Sequence, residues 1–318
     1  MIIFADQAGI FIAFYSSYHH DHSMRHGFLL INKPEGPTSH DAVAAVRRVL
    51  HEKDVGHLGT LDPLASGLLV LAVGSKALKV IELFNQLSKE YVAIIRFGAV
   101  SATYDREGPL EDTPRKPGVE IPTESQIREL ILNHFIGRIE QVPPAASAIS
   151  IGGERAYRKM RQASAQASTC GQGPGFIMPS RIVQIDSCEI LSYEYPDLEL
   201  KIRCGSGTYI RSLAHDMGRL LRVGGYLLSL DRTEVGEWSV QDAVAPEKAV
   251  WTNVLPLKDI LRGLPSRELT EGEFDAIAHG RIIHQPCERN TVGWFQHLPV
   301  ALLESSRDGQ GTKARKVL

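Results

Sequence analysis

Two hydrophobic periods alternate along this chain. Phe28–Ile31 and Leu68–Val73 are unbroken apolar runs of strand length, the pattern of strands buried on both faces. Tyr91, Ala93, Ile95 and Phe97 occupy every second position, as do Leu198, Leu200, Ile202 and Cys204, which predicts strands with one face turned inward. Elsewhere the spacing is helical. Val43, Val46 and Leu50 follow Thr38 or Ser39 as a cap, and Leu78, Ile81 and Phe84 follow Ser75. Ile127, Leu130, Ile131 and Phe135 follow the capping-box sequence Thr123-Glu124-Ser125-Gln126, and Ile210, Leu213, Met217 and Leu221 follow a Gly205–Gly207 turn.

Ser101–Gly108 reads as a polar loop, Pro143-Pro144 ends a unit, and residues 163–178, rich in Ala, Ser, Gly and Gln, predict a flexible loop. Val250–Leu264 reads as the bridge to a small C-terminal domain, in which Leu269–Phe274 opens a helix ending near Gly280 and Val300–Leu303 is a short strand. Strands and helices without regular βα alternation predict an α+β core around a mixed sheet.

Composition narrows the function classes. At 318 residues and 43% apolar, the chain can bury a sizeable core and form roughly two domains. A net charge of −2 does not announce a nucleic-acid binder, so an RNA partner would need a local basic footprint. Candidates are Arg47-Arg48, the cluster Arg155, Arg158, Lys159 and Arg161 beside Glu154, and the tail Lys313, Arg315 and Lys316. Cys170, Cys188, Cys204 and Cys287 are scattered, with no paired motif and no His at zinc-ligand spacing, which fits a reducing cytoplasm and predicts no metal. No run of eighteen apolar residues predicts a membrane span. The apolar run Gly9–Tyr15 lacks the flanks of a secretory signal, and His19, His20 and His22 read as part of a polar tether.

The chemistry concentrates in Gly56-His57-Leu58-Gly59-Thr60-Leu61-Asp62-Pro63-Leu64-Ala65-Ser66-Gly67. One carboxylate, Asp62, stands on a glycine-framed turn at the mouth of a buried strand, and Pro63 pushes it toward extended geometry. Taken alone, Asp-Pro marks a turn. The surrounding segment, however, resembles the catalytic signature of the TruB family of pseudouridine synthases. Gly27–Ser39 with its Lys33-Pro34 turn, Lys89-Glu90-Tyr91, Cys204–Leu213 and the ending Lys313–Leu318 resemble further blocks of that family, in the same order.

The resemblance runs from about Met24 to Leu318. It implies a disordered extension over 1–23, a pseudouridine-synthase catalytic domain over 24–255, and a small β-rich PUA-like RNA-binding domain over 256–318. The implied sheet is mixed and mostly antiparallel, flanked by helices. The implied reaction is isomerisation of uridine to pseudouridine at position 55 in the TΨC loop of tRNA. It is redox-neutral and needs no cofactor, and the chain has no phosphate-binding loop or dinucleotide fingerprint. Asp62 would be the catalytic carboxylate; attack on the base, attack on the ribose and removal of a sugar proton are all open to it. Arg211 would pair with Asp62 and lower its pKa, which keeps the acid ionised. Tyr91 would stack on the flipped uracil. Tyr209 and Leu230 would line the pocket, and His57 would enter the space vacated by the base. Lys33 would support the Asp62 loop, and Asp105 would contact RNA or brace the pocket. Arg155, Arg158, Lys159 and Arg161 become candidates for the RNA backbone.

Two departures stand out: Pro143–Ser150 lacks an expected Tyr and Lys, and Asp231 precedes Arg232 where an Arg pair is common. Both bear on RNA docking rather than on Asp62. The expected protein is a cytoplasmic monomer acting on tRNA without a protein partner. The alternatives are a guide-RNA-dependent enzyme of ribosomal RNA, a non-catalytic tRNA-binding or folding protein, and a nucleosidase.

Overall fold

The computed structural model describes residues 26–113, 120–144, 150–151, 154–155 and 178–318. The 1–23 extension, Arg158, Lys159, Arg161, Cys170 and nearly all of the 163–178 loop lie outside the described residues. Arg155 is described only as backbone in a two-residue strand.

The two apolar runs form the centre. Strand β1 (Gly27–Lys33) leads to helix α1 (Ser39–Leu50), whose N-cap Thr38 makes a reciprocal capping box with Asp41. Strands β2 (Val55–Leu58) and β3 (Ala65–Val73) flank the Asp62 turn. Helix α2 (Ser75–Val80) does not run on to Phe84 as its spacing predicts: it tightens into a 3-10 turn over Ile81–Phe84, which sets Phe84 edge-on against Phe28 with ring centroids 4.9 Å apart. Next come β4 (Lys89–Phe97), the hairpin of β5 (Ala99–Ser101) and β6 (Leu110–Asp112), and α3 (Glu124–His134), capped by Thr123 and Gln126.

Strand β7 (Gly137–Gln141), the short β8 (Ser150–Ile151) and β9 (Glu154–Arg155), and the long hairpin β10 (Arg181–Glu194) and β11 (Asp197–Cys204) precede helix α4 (Ile210–Leu220). Strands β12 (Gly225–Val235), β13 (Trp238–Ser239) and β14 (Leu255–Pro256) complete one ten-stranded sheet. Its order is β14-β1-β3-β12-β4-β11-β10-β7, with β2 on β3 and β13 on β12. The β12–β3 pair is parallel and the other pairs in this sheet are antiparallel, so the sheet is mixed and mostly antiparallel.

Period-two alternation sorts the side chains into two cores. Leu29, Ile31, Leu69, Leu71 and Val73 face one side, under the apolar stripes of α1, α3 and α4. Phe28, Leu30, Leu68, Val70 and Ala72 face the other, under α2. That second core also takes in Val292 and Leu302. These belong to a five-stranded sheet of β15 (Ser266–Glu268), β16 (Ile283–His284), β17 (Thr291–Phe295), β18 (Leu298–Ser305) and β19 (Gly311–Val317). The C-terminal unit therefore packs on the ten-stranded sheet through shared apolar contacts, and β14, in the predicted bridge, pairs with β1.

The basic tail does not present a free cationic face. Arg315 and Lys316 pair with Glu82 at 2.5 and 3.1 Å, and Lys313 with Glu304 at 3.3 Å. Lys79 and Lys316 donate to the carbonyls of Val317 and Lys79, respectively. Arg315 and Lys316 hold the C-terminal strand to α2 and its 3-10 turn, and Lys313 pairs within the C-terminal sheet.

Candidate active site

The Asp62 turn leads into β3, which changes partners along its length. The start of β3 pairs with β12, at Leu230↔Ala65 to Arg232↔Gly67, while its end pairs with β2, at Leu58↔Val70 to Val55↔Val73. At the changeover Gly67 has φ +97°, and a Cβ there would lie 2.4 Å from the carbonyl oxygen of Arg232. The close approach of the two strands requires glycine.

Three elements fix this turn. Lys33, fully buried at the end of β1, donates from Nζ to the carbonyls of Pro34 and Pro37 at 2.8 Å each and reaches that of Pro63 at 3.5 Å. Ser39, in the first turn of α1, both donates from Oγ to the Leu61 carbonyl and accepts from the Leu61 N–H, at 2.9 and 2.8 Å. The Gly36 N–H donates to Pro63 O at 2.8 Å. Leu61 and Leu64 are buried on either side, so the intervening Asp62 is aimed outward.

Arg211 meets it from α4. Its Nε lies 3.0 Å from Asp62 Oδ2, and its Nη1 lies 3.1 Å from Asp105 Oδ2 and 3.2 Å from the carbonyl of Thr103. Arg211 is 5% exposed and Asp105 3%, while the Asp62 carboxylate is 38% exposed. One guanidinium thus joins a buried acid to an accessible one, a use for which its planar fork is suited. Pairing with the Asp105 and Asp62 carboxylates offsets the unfavourable position of a cation in the first turn of a helix. Asp105 itself accepts from Thr103 Oγ1 and from the Glu107 N–H, so it braces the site rather than facing solvent.

The cavity beside the pair measures about 330 Å³. Tyr91, Tyr209, Leu230, Asp62 and Arg211 line it together. Tyr209 is held at the head of α4 by Gln141, which accepts from its N–H at 3.0 Å and donates to its carbonyl at 3.1 Å. Arg181 lies over the Tyr209 ring, 5.5 Å from its centroid. Two further cations line the wall. Arg232, 1% exposed, donates from Nε to the Leu68 carbonyl at 2.7 Å and from Nη2 to that of Gly59 at 3.2 Å. Lys89 donates to the carbonyls of Leu87 and Asn85 at 2.5 and 3.3 Å.

Sequence reasoning left Arg232 and Lys89 out of the site. Their spacing held the signal: each is two residues from a predicted pocket residue on the same strand face, Arg232 from Leu230 and Lys89 from Tyr91. The unusual neighbour Asp231 points the other way and accepts from Ser66 Oγ at 2.7 Å.

His57 is not brought to the cavity wall. It stands on β2 next to Leu58, with its ring edge-on to His40 at 5.5 Å, and burial pushes its imidazole below the usual range. The expected lowering of the Asp62 pKa is also corrected. Burial pushes Asp62 above the ordinary carboxylate range, Arg211 pulls it back, and Asp105 pushes it up again. Burial lowers Lys33 and Lys89 and raises the phenol of Tyr91. The arrangement offers one accessible carboxylate, held by an arginine, in a partly open cavity with an aromatic wall and a cationic lining. Among the described residues no group of three His, Cys, Asp or Glu side chains is placed to hold a metal, and no helix is long and apolar enough to cross a membrane.

Comparison with known proteins agrees in sequence and in fold. Residues 47–210 match the family model described as TruB family pseudouridylate synthase, N-terminal domain. A tRNA pseudouridine synthase B of Leifsonia xyli is 40% identical over 268 residues, 81% of this chain and 83% of the relative. One of the same name from Thermobifida fusca is 37% identical over 86% of this chain and 91% of its own length. Another, from Gloeothece citriformis, is 47% identical over 65% of this chain and 63% of the relative. Among solved structures, a chain of an H/ACA ribonucleoprotein bound to a substrate RNA containing 2'-deoxyuridine superposes with a TM-score of 0.64 at 21% identity. That match covers 93% of this chain and 86% of that one. A chain of a Cbf5-Nop10-Gar1 complex gives 0.65 at 23%, covering 93% and 85%. At that identity the likeness concerns the fold.

Proposed function

Because this chain belongs to the TruB family of pseudouridylate synthases, we propose that it isomerises uridine to pseudouridine at position 55 in the TΨC loop of tRNA, with Asp62 as the catalytic carboxylate. The observation that carries the reading is the Asp62–Arg211 pair at 3.0 Å on the wall of a cavity that also holds Tyr91. The reaction breaks the bond from ribose C1′ to N1 of uracil, turns the base, and joins C1′ to C5. The C5 proton leaves to solvent and N1 takes one up, so atoms and electrons balance within one nucleoside.

This chemistry needs one oriented acid and a site that limits water. Asp62 supplies the acid as its carboxylate, and Arg211 fixes the direction of its oxygens. A target base must leave its stack to reach Asp62, at roughly a few kcal/mol, and the face of Tyr91 offsets part of that. Tyr209 and Leu230 also line the cavity. Lys89, Arg211 and Arg232 favour a phosphate-bearing ligand electrostatically. The C-terminal sheet serves as the PUA-like RNA-binding unit, and the protein acts as a cytoplasmic monomer. His57, which stands outside the cavity lining, enters the space that the flipped base vacates in the RNA.

The tRNA reading stands above a guide-dependent one because the relatives at 37–47% identity carry tRNA in their names, whereas the H/ACA chains share 21–23%. A pure RNA-binding protein has no use for an acid held by an internally paired arginine.

The test is product analysis of an unmodified tRNA transcript, digested to nucleosides and mapped by position. Pseudouridine confined to the TΨC loop supports the proposal. Free uracil would mean a nucleosidase, and an unchanged, bound transcript would mean a binding protein.

A further inference from the structure

Helix α4 grips the loop between β5 and β6 at two points one turn apart. Arg211 takes the first, through the Thr103 carbonyl and the Asp105 carboxylate, both on Nη1. His215, four residues on and therefore on the same helix face, takes the second. Its ring lies flat against that of Tyr104, with centroids 3.9 Å apart and planes 12° from parallel.

Tyr104 is the residue between the two acceptors. Its φ is +65°, a left-handed conformation that a bulky side chain rarely adopts. The conformation has a consequence. The twist at Tyr104 lets the carbonyl before it and the carboxylate after it converge on one guanidinium nitrogen. Backbone bonds tie the loop to β12: Leu227 N–H donates to Tyr104 O at 2.9 Å, and Arg106 N–H donates to Leu227 O at 3.0 Å. Neither bond holds the side chain of Tyr104; the His215 ring does. Nδ1 of His215 is buried without a hydrogen-bond partner among the described residues, so the stack is the contact the structure gives that ring.

We propose that the Tyr104–His215 stack is a positioning clasp: it holds the strained loop so that Asp105 and Thr103 set the Arg211 guanidinium, which in turn orients Asp62. This rests on the reading that Asp62 performs the chemistry. Neither ring lines the cavity, so the clasp reaches the chemistry through Arg211 and not through contact with the base in the cavity.

Tyr104→Gly is the sharp variant, because glycine accepts the positive φ without strain and removes the ring. Expected is a fall in kcat of about 10- to 100-fold on unmodified tRNA, with KM and the unfolding temperature held. Tyr104→Phe should recover most of the rate lost. His215→Ala should show the same loss, and the double variant little more than either single one. A wild-type kcat in Tyr104→Gly, or a loss confined to KM, would overturn the proposal.

A second measurement is independent of activity. The Nε–H resonance of Arg211 in the full-length protein should be distinct in wild type and Tyr104→Phe and collapse in Tyr104→Gly. An unchanged resonance in Tyr104→Gly would overturn the clasp. If wild type forms no pseudouridine, the functional reading falls while this resonance still decides the clasp.

Discussion

Nε of Arg211 stands 3.0 Å from Oδ2 of Asp62. The same guanidinium is anchored behind by Asp105 at 3.1 Å, so the accessible acid faces a cation that cannot swing away. Lysine carries the charge but cannot span both carboxylates. Arg211→Lys should therefore lower the single-turnover rate by about 100-fold while tRNA binding is largely kept. Arg211→Met leaves Asp105 buried and unpaired, and should also cost about 3–5 kcal/mol of stability in denaturant unfolding.

The second prediction concerns pH. Burial raises Asp62 in the folded state above its ordinary range. Its stability contribution is thus present below the unfolded pKa and is lost as pH rises through the folded one. Asp62→Asn should match wild type in stability at acid pH and exceed it at neutral pH, as thermal unfolding across pH would show. The activity of wild type should decline on the acid side at a pH above that of an unperturbed aspartate, since the ionised form is the working one.

Lys33 is the third test. With Nζ donating to Pro34 and Pro37 at 2.8 Å, Lys33→Met leaves carbonyls without their donor. A loss of about 1–3 kcal/mol is expected in denaturant unfolding, together with a slower reaction as the Asp62 turn loosens.

Salt dependence separates free cations from engaged ones. Arg181 lies over Tyr209, and among the described residues no carboxylate pairs with it, whereas Arg315 is paired with Glu82. Arg181→Ala should reduce the log–log salt slope of tRNA binding by about 0.7–0.9, the value for one phosphate contact. Arg315→Ala should leave the slope unchanged.

What was legible in the sequence follows from how local each cause is. Leu68–Val73 declares a strand through its own side chains, and Thr123 with Gln126 declares a helix start through one reciprocal bond; both stand as read. The family resemblance implies Asp62, Tyr91, Tyr209, Leu230 and Arg211, and the fold brings them to one cavity. Arg232 was passed over because its burial depends on β12 running parallel beside β3, a pairing between residues far apart in the chain. The pairing of the tail is hidden for the same kind of reason: nothing near Lys316 in the chain announces Glu82, which the fold sets 3.1 Å away. The net direction at Asp62 is not legible in a motif: Arg211 lowers its pKa as the motif implies, whereas the opposing desolvation is a property of the assembled site.

The central claim is that Asp62 drives isomerisation of a TΨC-loop uridine. It is tested most directly by tritium release from a tRNA transcript labelled at C5 of uridine, comparing wild type with Asp62→Asn, both shown to be folded. Forming the C1′–C5 bond expels the C5 hydrogen. The account predicts release by wild type from the single TΨC-loop position and none by the variant. Equal release by both proteins would contradict it.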